Sequence, residues 1–170
     1  MRKILFLYTL VLSFSAVNAQ EKIVFPQDFK FDLQILKGII FATIPEEAHL
    51  VGITENPGVV DNKEAIRAMS MDNDDILQVY YEVYYDENNA HDDAGIIVSR
   101  FVSEEALQNS LPGLRSQSNL AYLIKDNYLI LVWSDHSKEP DKHIDDMITY
   151  YQHKLQARLY IDREKYREEE

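Results

Sequence analysis

The sequence predicts an α+β domain with a mainly antiparallel sheet of about five strands and with helices packed on one face of the sheet. Short runs of β-branched and aromatic residues occur in neighbouring pairs, which is typical of hairpin-linked strands. Segments with helical spacing of apolar residues separate these pairs. The 170 residues contain no cysteine, so a single hydrophobic core has to hold the domain together. The middle elements follow a strand–helix–strand–strand–helix–strand order, which is compatible with a ferredoxin-like arrangement.

The first element of this domain is predicted as a helix over residues 29–44. Apolar residues recur there in steps of three and four, at Phe29, Leu33, Leu36, Ile40 and Ile44. Gly38 and an alternating pattern at the start of the segment also fit a strand, so the sequence leaves open whether the segment is helical throughout. A short apolar run over residues 48–54 is predicted as a buried strand.

Two strands and two short helices are predicted in the middle of the chain. Residues 76–85, "ILQVYYEVYY", form the clearest strand pattern, and residues 96–102 are predicted to pair with them in antiparallel fashion. A brief helix begins after Asp61 or Asn62, and another begins after Ser103, because these side chains cap helix amino termini.

The last elements are predicted as a hairpin and a long amphipathic helix at the carboxy terminus. Apolar runs flank Asp126 and Asn127, which tolerate the left-handed backbone conformation of a tight turn. The helix is predicted from one apolar stripe, formed by Ile144, Met147, Ile148, Tyr151, Leu155 and Leu159.

The amino-terminal residues have the pattern of a secretory signal peptide. Arg2 and Lys3 precede an apolar run over residues 4–14, and Val17 and Ala19 are small residues at the cleavage positions. We expect residues 1–19 to be removed and the protein to be exported to the periplasm or the extracellular space, without stable membrane anchoring. The rest of the chain is then predicted to divide into a single α+β domain and a polar charged tail, over residues 20–163 and 164–170.

The charge of the chain restricts its partners. The formal net charge is −12, because 29 acidic residues face 17 basic ones. Such a surface repels nucleic acid, so nucleic-acid binding is not expected. A protein partner or self-association remains open, and a basic partner suits this charge.

Tyrosines in the clearest strand suggest an interaction face. Tyr80, Glu82 and Tyr84 alternate on one side of the strand, and tyrosine offers a large contact area with a polar tip. If helices cover only the other side, this face is free to bind a protein, a second copy of the chain or a sugar ring. The alternative interpretation is that helices cover both sides and these tyrosines pack in the core.

A second candidate site follows the last predicted strand. Asp135 and His136 stand where the strand ends, and His143 and Asp146 share one face of the following helix. Imidazole and carboxylate ligands suit zinc or a similar ion. The sequence has no H-E-x-x-H motif, and acidic residues are common at any helix start. It also lacks a G-x-S-x-G motif that would expose a nucleophilic serine, and no cofactor is predicted.

Three function classes follow from these patterns. A non-enzymatic binding or protein-interaction module is favoured, because motifs for catalysis are scarce. The alternatives are a metal-binding protein or metal-dependent hydrolase with its site at the end of strand 128–134, and an inhibitor or immunity-type protein that covers a basic partner. Enzyme status stays open, with a non-enzymatic function favoured.

Overall fold

The computed structural model describes residues 23–70, 72–115 and 117–161. These residues form an α+β fold around one antiparallel sheet, which confirms the predicted fold class. The predicted signal peptide and the predicted charged tail both lie outside the described residues. Within the described ranges, no helix has the length and apolar character needed to cross a membrane.

The described part of the sheet has seven strands, two more than predicted. They are β1 (Ile39–Phe41), β2 (Gly58–Val60), β3 (Ile76–Asp86), β4 (Asn89–Phe101), β5 (Leu120–Lys125), β6 (Tyr128–Ser134) and β7 (Arg158–Ile161). The strand order is β1–β3–β4–β6–β5–β7, and β2 lies beside β1 along the outer edge of β3. Every strand pair is antiparallel. The order β2–α2–β3–β4–α3–β5 agrees with the predicted order of elements. The sheet itself is not ferredoxin-like, because β2 pairs directly with β3, whereas strands joined by a crossover helix in that arrangement are parallel and not adjacent.

The four helices of the described residues are short except for the last. They are α1 (Glu46–His49), α2 (Lys63–Met69), α3 (Glu104–Ser110) and α4 (Pro140–Leu155). The predicted caps are formed, because the side chains of Asn62 and Ser103 accept hydrogen bonds from the backbone N–H groups of Ala65 and Ala106, at 2.8 and 3.1 Å.

The last helix is shorter than the apolar stripe predicts, and it is not the last element. α4 ends at Leu155, because Gln156 adopts a left-handed conformation with φ of 55°. Leu159 then lies in β7, which pairs with β5. The turn between β5 and β6 agrees with the prediction, since Asp126 has φ of 50°.

The prediction of a helix over residues 29–44 is wrong. One-turn 3-10 segments occupy Gln27–Phe29 and Leu33–Ile35, and β1 follows after Gly38 at φ of 73°. The short run over residues 48–54 is not a strand either, because α1 and a turn occupy it. In both places short apolar segments follow the tertiary surface that they cover, which local spacing does not encode.

Helices pack on both faces of the sheet, whereas the sequence predicted one covered face. On the first face, which carries the even-numbered side chains of residues 80–84 of β3 and 94–98 of β4, the core contains residues of α4 and of the segment 23–36. On the second face, which carries their odd-numbered side chains, the core contains residues of α2 and α3. The long α4 covers more of its face than these two short helices cover of theirs.

Candidate functional site

The predicted interaction face of Tyr80, Glu82 and Tyr84 is buried. None of these residues is more than 1 % exposed, because the segment 23–36 and α4 cover them. The prediction of an open face is therefore corrected in favour of its alternative, in which the tyrosines pack in the core.

These three side chains form a hydrogen-bonded network around one carboxylate. The hydroxyl groups of Tyr80 and Tyr84 donate to the two oxygens of Glu82, and the backbone N–H of Phe31 donates to Glu82 Oε1 at 3.1 Å. Burial, together with the bond to Glu82, raises the pKa of Tyr80 far above its usual range, so the hydroxyl stays protonated. The network ties the segment 23–36 to β3 in the buried core.

The four predicted metal ligands do not share one site. Asp135 is exposed and accepts a hydrogen bond from Asn119 at 2.5 Å, while Asp146 forms an ion pair with Lys142 at 2.5 Å. Across residues 23–161, leaving out positions 71 and 116, no group of three or more acidic or histidine side chains has an arrangement that would hold a metal ion.

The two histidines of that set do meet, with ring centroids 4.6 Å apart, and both are buried. His136 Nε2 lies 3.1 Å from Asp86 Oδ2 and 3.9 Å from Asp92 Oδ2, both in the hairpin of β3 and β4. His136 Nδ1 accepts hydrogen bonds from the backbone N–H groups of Lys138 and Glu139, at 3.3 and 3.0 Å. Because Nδ1 is an acceptor, Nε2 carries the proton and donates a hydrogen bond to Asp86. Neither nitrogen then has a lone pair available to a metal ion.

His143 completes this cluster without forming a catalytic triad. Its Nδ1 lies 3.4 Å from the Oγ of Ser134, which is fully buried. The carboxylate of Asp86 contacts the other histidine, His136, so neither histidine links a serine to a carboxylate as nucleophile activation requires. Burial, with the neighbouring His136, lowers the pKa of His143, which favours its neutral form. The cluster holds the β6–α4 connection against the β3–β4 hairpin.

A cavity on the second face of the sheet is the feature that the sequence did not predict. Its volume is about 260 Å³. The described residues that line it come from the end of α2 and from β4, β5 and β6: Met69, Ser70, Ile97, Ser99, Tyr122, Leu129 and Leu131. The strand residues lie in two adjacent cross-strand rows, because Ile97 and Tyr122 both pair with Leu131, and Ser99 pairs with Leu129.

The side chains of the described lining residues are apolar apart from their hydroxyl groups. The Oγ atoms of Ser70 and Ser99 lie 2.7 Å apart and share a hydrogen bond. Burial raises the pKa of Tyr122, so its hydroxyl also stays protonated. None of the described lining residues carries a charge, so they hold no group that exchanges a proton near neutral pH. This arrangement suits binding rather than acid–base chemistry.

Comparisons of this chain with protein-family models, with curated proteins and with solved structures gave no match.

Proposed function

We propose that this protein is a non-enzymatic binding protein whose ligand is a small apolar molecule held in the cavity between α2 and the centre of the sheet. The observation that carries the proposal is a cavity of about 260 Å³ whose described lining residues are all uncharged, on a sheet face that the short helices cover incompletely. An apolar cavity of about 150 Å³ is enough to bind benzene, so this volume suits a ligand of about two fused rings. An apolar pocket with a few converging polar groups is the usual form of a small-molecule site.

The arrangement of the buried ionisable groups supports binding over catalysis. Both nitrogens of His136 and both oxygens of Glu82 are engaged in hydrogen bonds with neighbouring groups of the same chain. These groups stabilise the packing of the segment 23–36 and of the β6–α4 connection. A general base has to reach a substrate proton, and these atoms are directed at the protein's own residues.

Methyl-resolved NMR tests the proposed function directly. Naphthalene added to residues 20–170 should shift the methyl signals of Met69, Ile97 and Leu131. The substitution Ile97→Phe should abolish these shifts, because the larger side chain fills the cavity. Val59→Phe is the matched control, since Val59 lies on the outer strand β2 and is 39 % exposed. Methyl signals that stay in place at saturating naphthalene would contradict the proposal.

A protein partner is a second candidate ligand, favoured by the outer edge of the sheet. Ile40, Phe41 and Val59 lie on the edge strands β1 and β2 and are 39–50 % exposed. An apolar strand edge favours the addition of an extended segment, and the net charge of −12 favours a basic one. Isothermal titration with a basic, β-forming peptide should give binding that Phe41→Lys removes and that salt weakens. Heat signals at the level of dilution would exclude this candidate.

The proposed site of action is outside the cytoplasm. It rests on the signal-peptide pattern of residues 1–19, with cleavage after Ala19. Intact mass measurement of the chain expressed in a bacterium should give a protein that begins at Gln20. A mass that includes residues 1–19 would contradict the proposal of export.

A further inference from the structure

We propose that the ligand of this cavity is uncharged and mainly apolar, with one hydroxyl or carbonyl group that binds to the paired hydroxyls of Ser70 and Ser99. This inference rests on the ligand-binding function proposed above and specifies the chemistry of its ligand.

Ser99 is the polar group that the cavity needs to orient a ligand. Its cross-strand partners are Val79 on one side and Leu129 on the other, and both are buried and apolar. Ser99 itself is only 2 % exposed. A hydroxyl in an apolar row costs free energy unless it is hydrogen-bonded, so packing alone would favour an aliphatic residue here.

The hydroxyl pair of Ser70 and Ser99 can form further hydrogen bonds. Ser70 follows the end of α2, and its Oγ lies 2.7 Å from the Oγ of Ser99. Only one of the two hydroxyl hydrogens forms the bond between them, and the described residues offer the other hydrogen no acceptor, so it can bond to a ligand. The oxygens of the pair also keep lone pairs that accept from a donor. A ligand hydroxyl or carbonyl matches this combination.

The lack of charge in the described lining residues disfavours ionic ligands. A carboxylate or an ammonium group in the cavity would lose its water without gaining an opposite charge from the described lining residues. The net charge of −12 adds a long-range repulsion of anions. Fatty-acid carboxylates and similar anions are therefore disfavoured, whereas alcohols, phenols and ketones are favoured.

Three probes of one shape separate these classes: naphthalene, naphthol and naphthoate. Their dissociation constants are measured for residues 20–170 by methyl-resolved NMR near neutral pH, where naphthoate is charged and naphthol is not. We expect naphthol to bind about fivefold more tightly than naphthalene, as one hydrogen bond provides. We expect naphthoate to bind at least about tenfold more weakly than naphthol, because its charge is desolvated.

Substitution of the serines tests their role. Ser99→Ala should remove the preference for naphthol over naphthalene, and Ser70→Ala should lower the preference in the same direction. Ser118→Ala is the control, because Ser118 is exposed and does not line the cavity. Circular dichroism verifies that each variant is folded, and Ser70→Ala remains informative if Ser99→Ala unfolds.

The outcomes distinguish the two proposals. If naphthalene binds but naphthol has no advantage, or if naphthoate binds as tightly, the ligand class proposed here is overturned and the binding function stands. The same holds if the preference for naphthol survives in both serine variants. If none of the three probes shifts the methyl signals of the cavity, the proposed function itself is overturned.

Discussion

Glu82 shows how single buried polar groups organise this protein. Its carboxylate accepts hydrogen bonds from Tyr80, Tyr84 and the backbone of Phe31, and it is 1 % exposed. Hydrogen bonds to a charged acceptor are stronger than those between neutral groups, so the three donors offset the loss of water around the carboxylate. The residue therefore stabilises the contact between β3 and a segment that has little regular secondary structure of its own.

Removal of one donor from this network should destabilise the fold. Tyr84→Phe deletes only the hydroxyl group and leaves the carboxylate of Glu82 with a missing partner. We expect the free energy of unfolding in urea to fall by about 2 kcal/mol. Tyr85→Phe is the matched control, because Tyr85 is half-buried and lies on the opposite side of β3. Equal unfolding midpoints for Tyr84→Phe and the unmodified protein would contradict the role assigned to this network.

His143 gives the protein a predicted pH dependence at the residue scale. Burial, then the neighbouring His136 and Lys142, lower the pKa of His143 in the folded state, while Glu139 and Asp146 oppose this effect. The unfolded chain, with a histidine pKa near 6.5, then binds more protons than the folded chain as the pH falls below about 7. Stability from this residue is thus complete above the unfolded pKa and is lost as the pH falls towards the folded pKa.

The measurement is the thermal unfolding midpoint between about pH 7 and pH 5. The slope from one histidine is at most about 1.4 kcal/mol per pH unit. His143→Gln should reduce the loss of stability in this range, whereas His153→Gln should leave it unchanged, because His153 is exposed on α4. The pKa of Asp86 is lowered by its bond with the backbone of Asn88 and by His136, so the stability from Asp86 is lost only at more acidic pH, below about 4. An equal pH dependence of the midpoint in His143→Gln and in the unmodified protein would contradict the assignment.

At the scale of elements, close packing between neighbouring strands determines at which positions the sheet has room for a side chain. Gly95 in β4 pairs with Val83 of β3 and with Trp133 of β6. A Cβ atom at position 95 would meet the indole ring of Trp133 and the backbone oxygen of Glu82. The indole N–H donates to Asp93 at 3.2 Å, which fixes the ring over the glycine. The strand therefore requires glycine here because of its neighbours.

Gly95→Ala should disturb this packing. The backbone of β3 cannot move aside without breaking the ladder, so we expect a loss of about 1–3 kcal/mol in the free energy of unfolding. The emission of the single tryptophan should also shift, since the ring must leave its position. Gly113→Ala is the control, because a Cβ atom there meets no atom within 4 Å. Unchanged stability and emission in Gly95→Ala would show that the ring does not pack as described.

At the scale of the whole molecule, the acidic surface opposes the compact state. The net charge of −12 is spread over a chain of 170 residues, and self-repulsion destabilises a folded protein of high net charge. Salt screens this repulsion, because the Debye length falls from about 30 Å at 0.01 M to about 10 Å at 0.1 M.

Added salt should therefore raise the stability of the protein. We expect the unfolding midpoint at neutral pH to rise by about 2–4 °C between about 0.01 M and 0.3 M sodium chloride, as a gain of about 1 kcal/mol implies for this size. The same titration near the isoelectric point is the control and should give a smaller rise. A fall in the midpoint at neutral pH would mean that specific ion pairs outweigh the overall repulsion.

Local sequence patterns predicted the features that depend on nearby residues. The strand of residues 76–85, the turn at Asp126 and the caps at Asn62 and Ser103 depend on propensity or on hydrogen bonds across a few residues. The same patterns failed for residues 29–44, because those residues follow the surface of β3 and α4 rather than their own helical spacing.

Part of the candidate cluster was also foreseen, since His136 and His143 do meet. The carboxylates beside His136, those of Asp86 and Asp92, are 50 and 44 residues away in the chain and carry no local signal.

The sequence by itself determined the class of the fold, its freedom from disulfides and its acidic surface, since these depend on composition, spacing and adjacent pairing. Only the tertiary structure decided which face each strand residue occupies. It buried Tyr80 and Tyr84 beneath the segment 23–36, and it opened a cavity on the opposite face instead. The physical reason is that a strand offers side chains to both sides equally, and the areas covered by α4 and by the short α2 and α3 settle which side stays accessible.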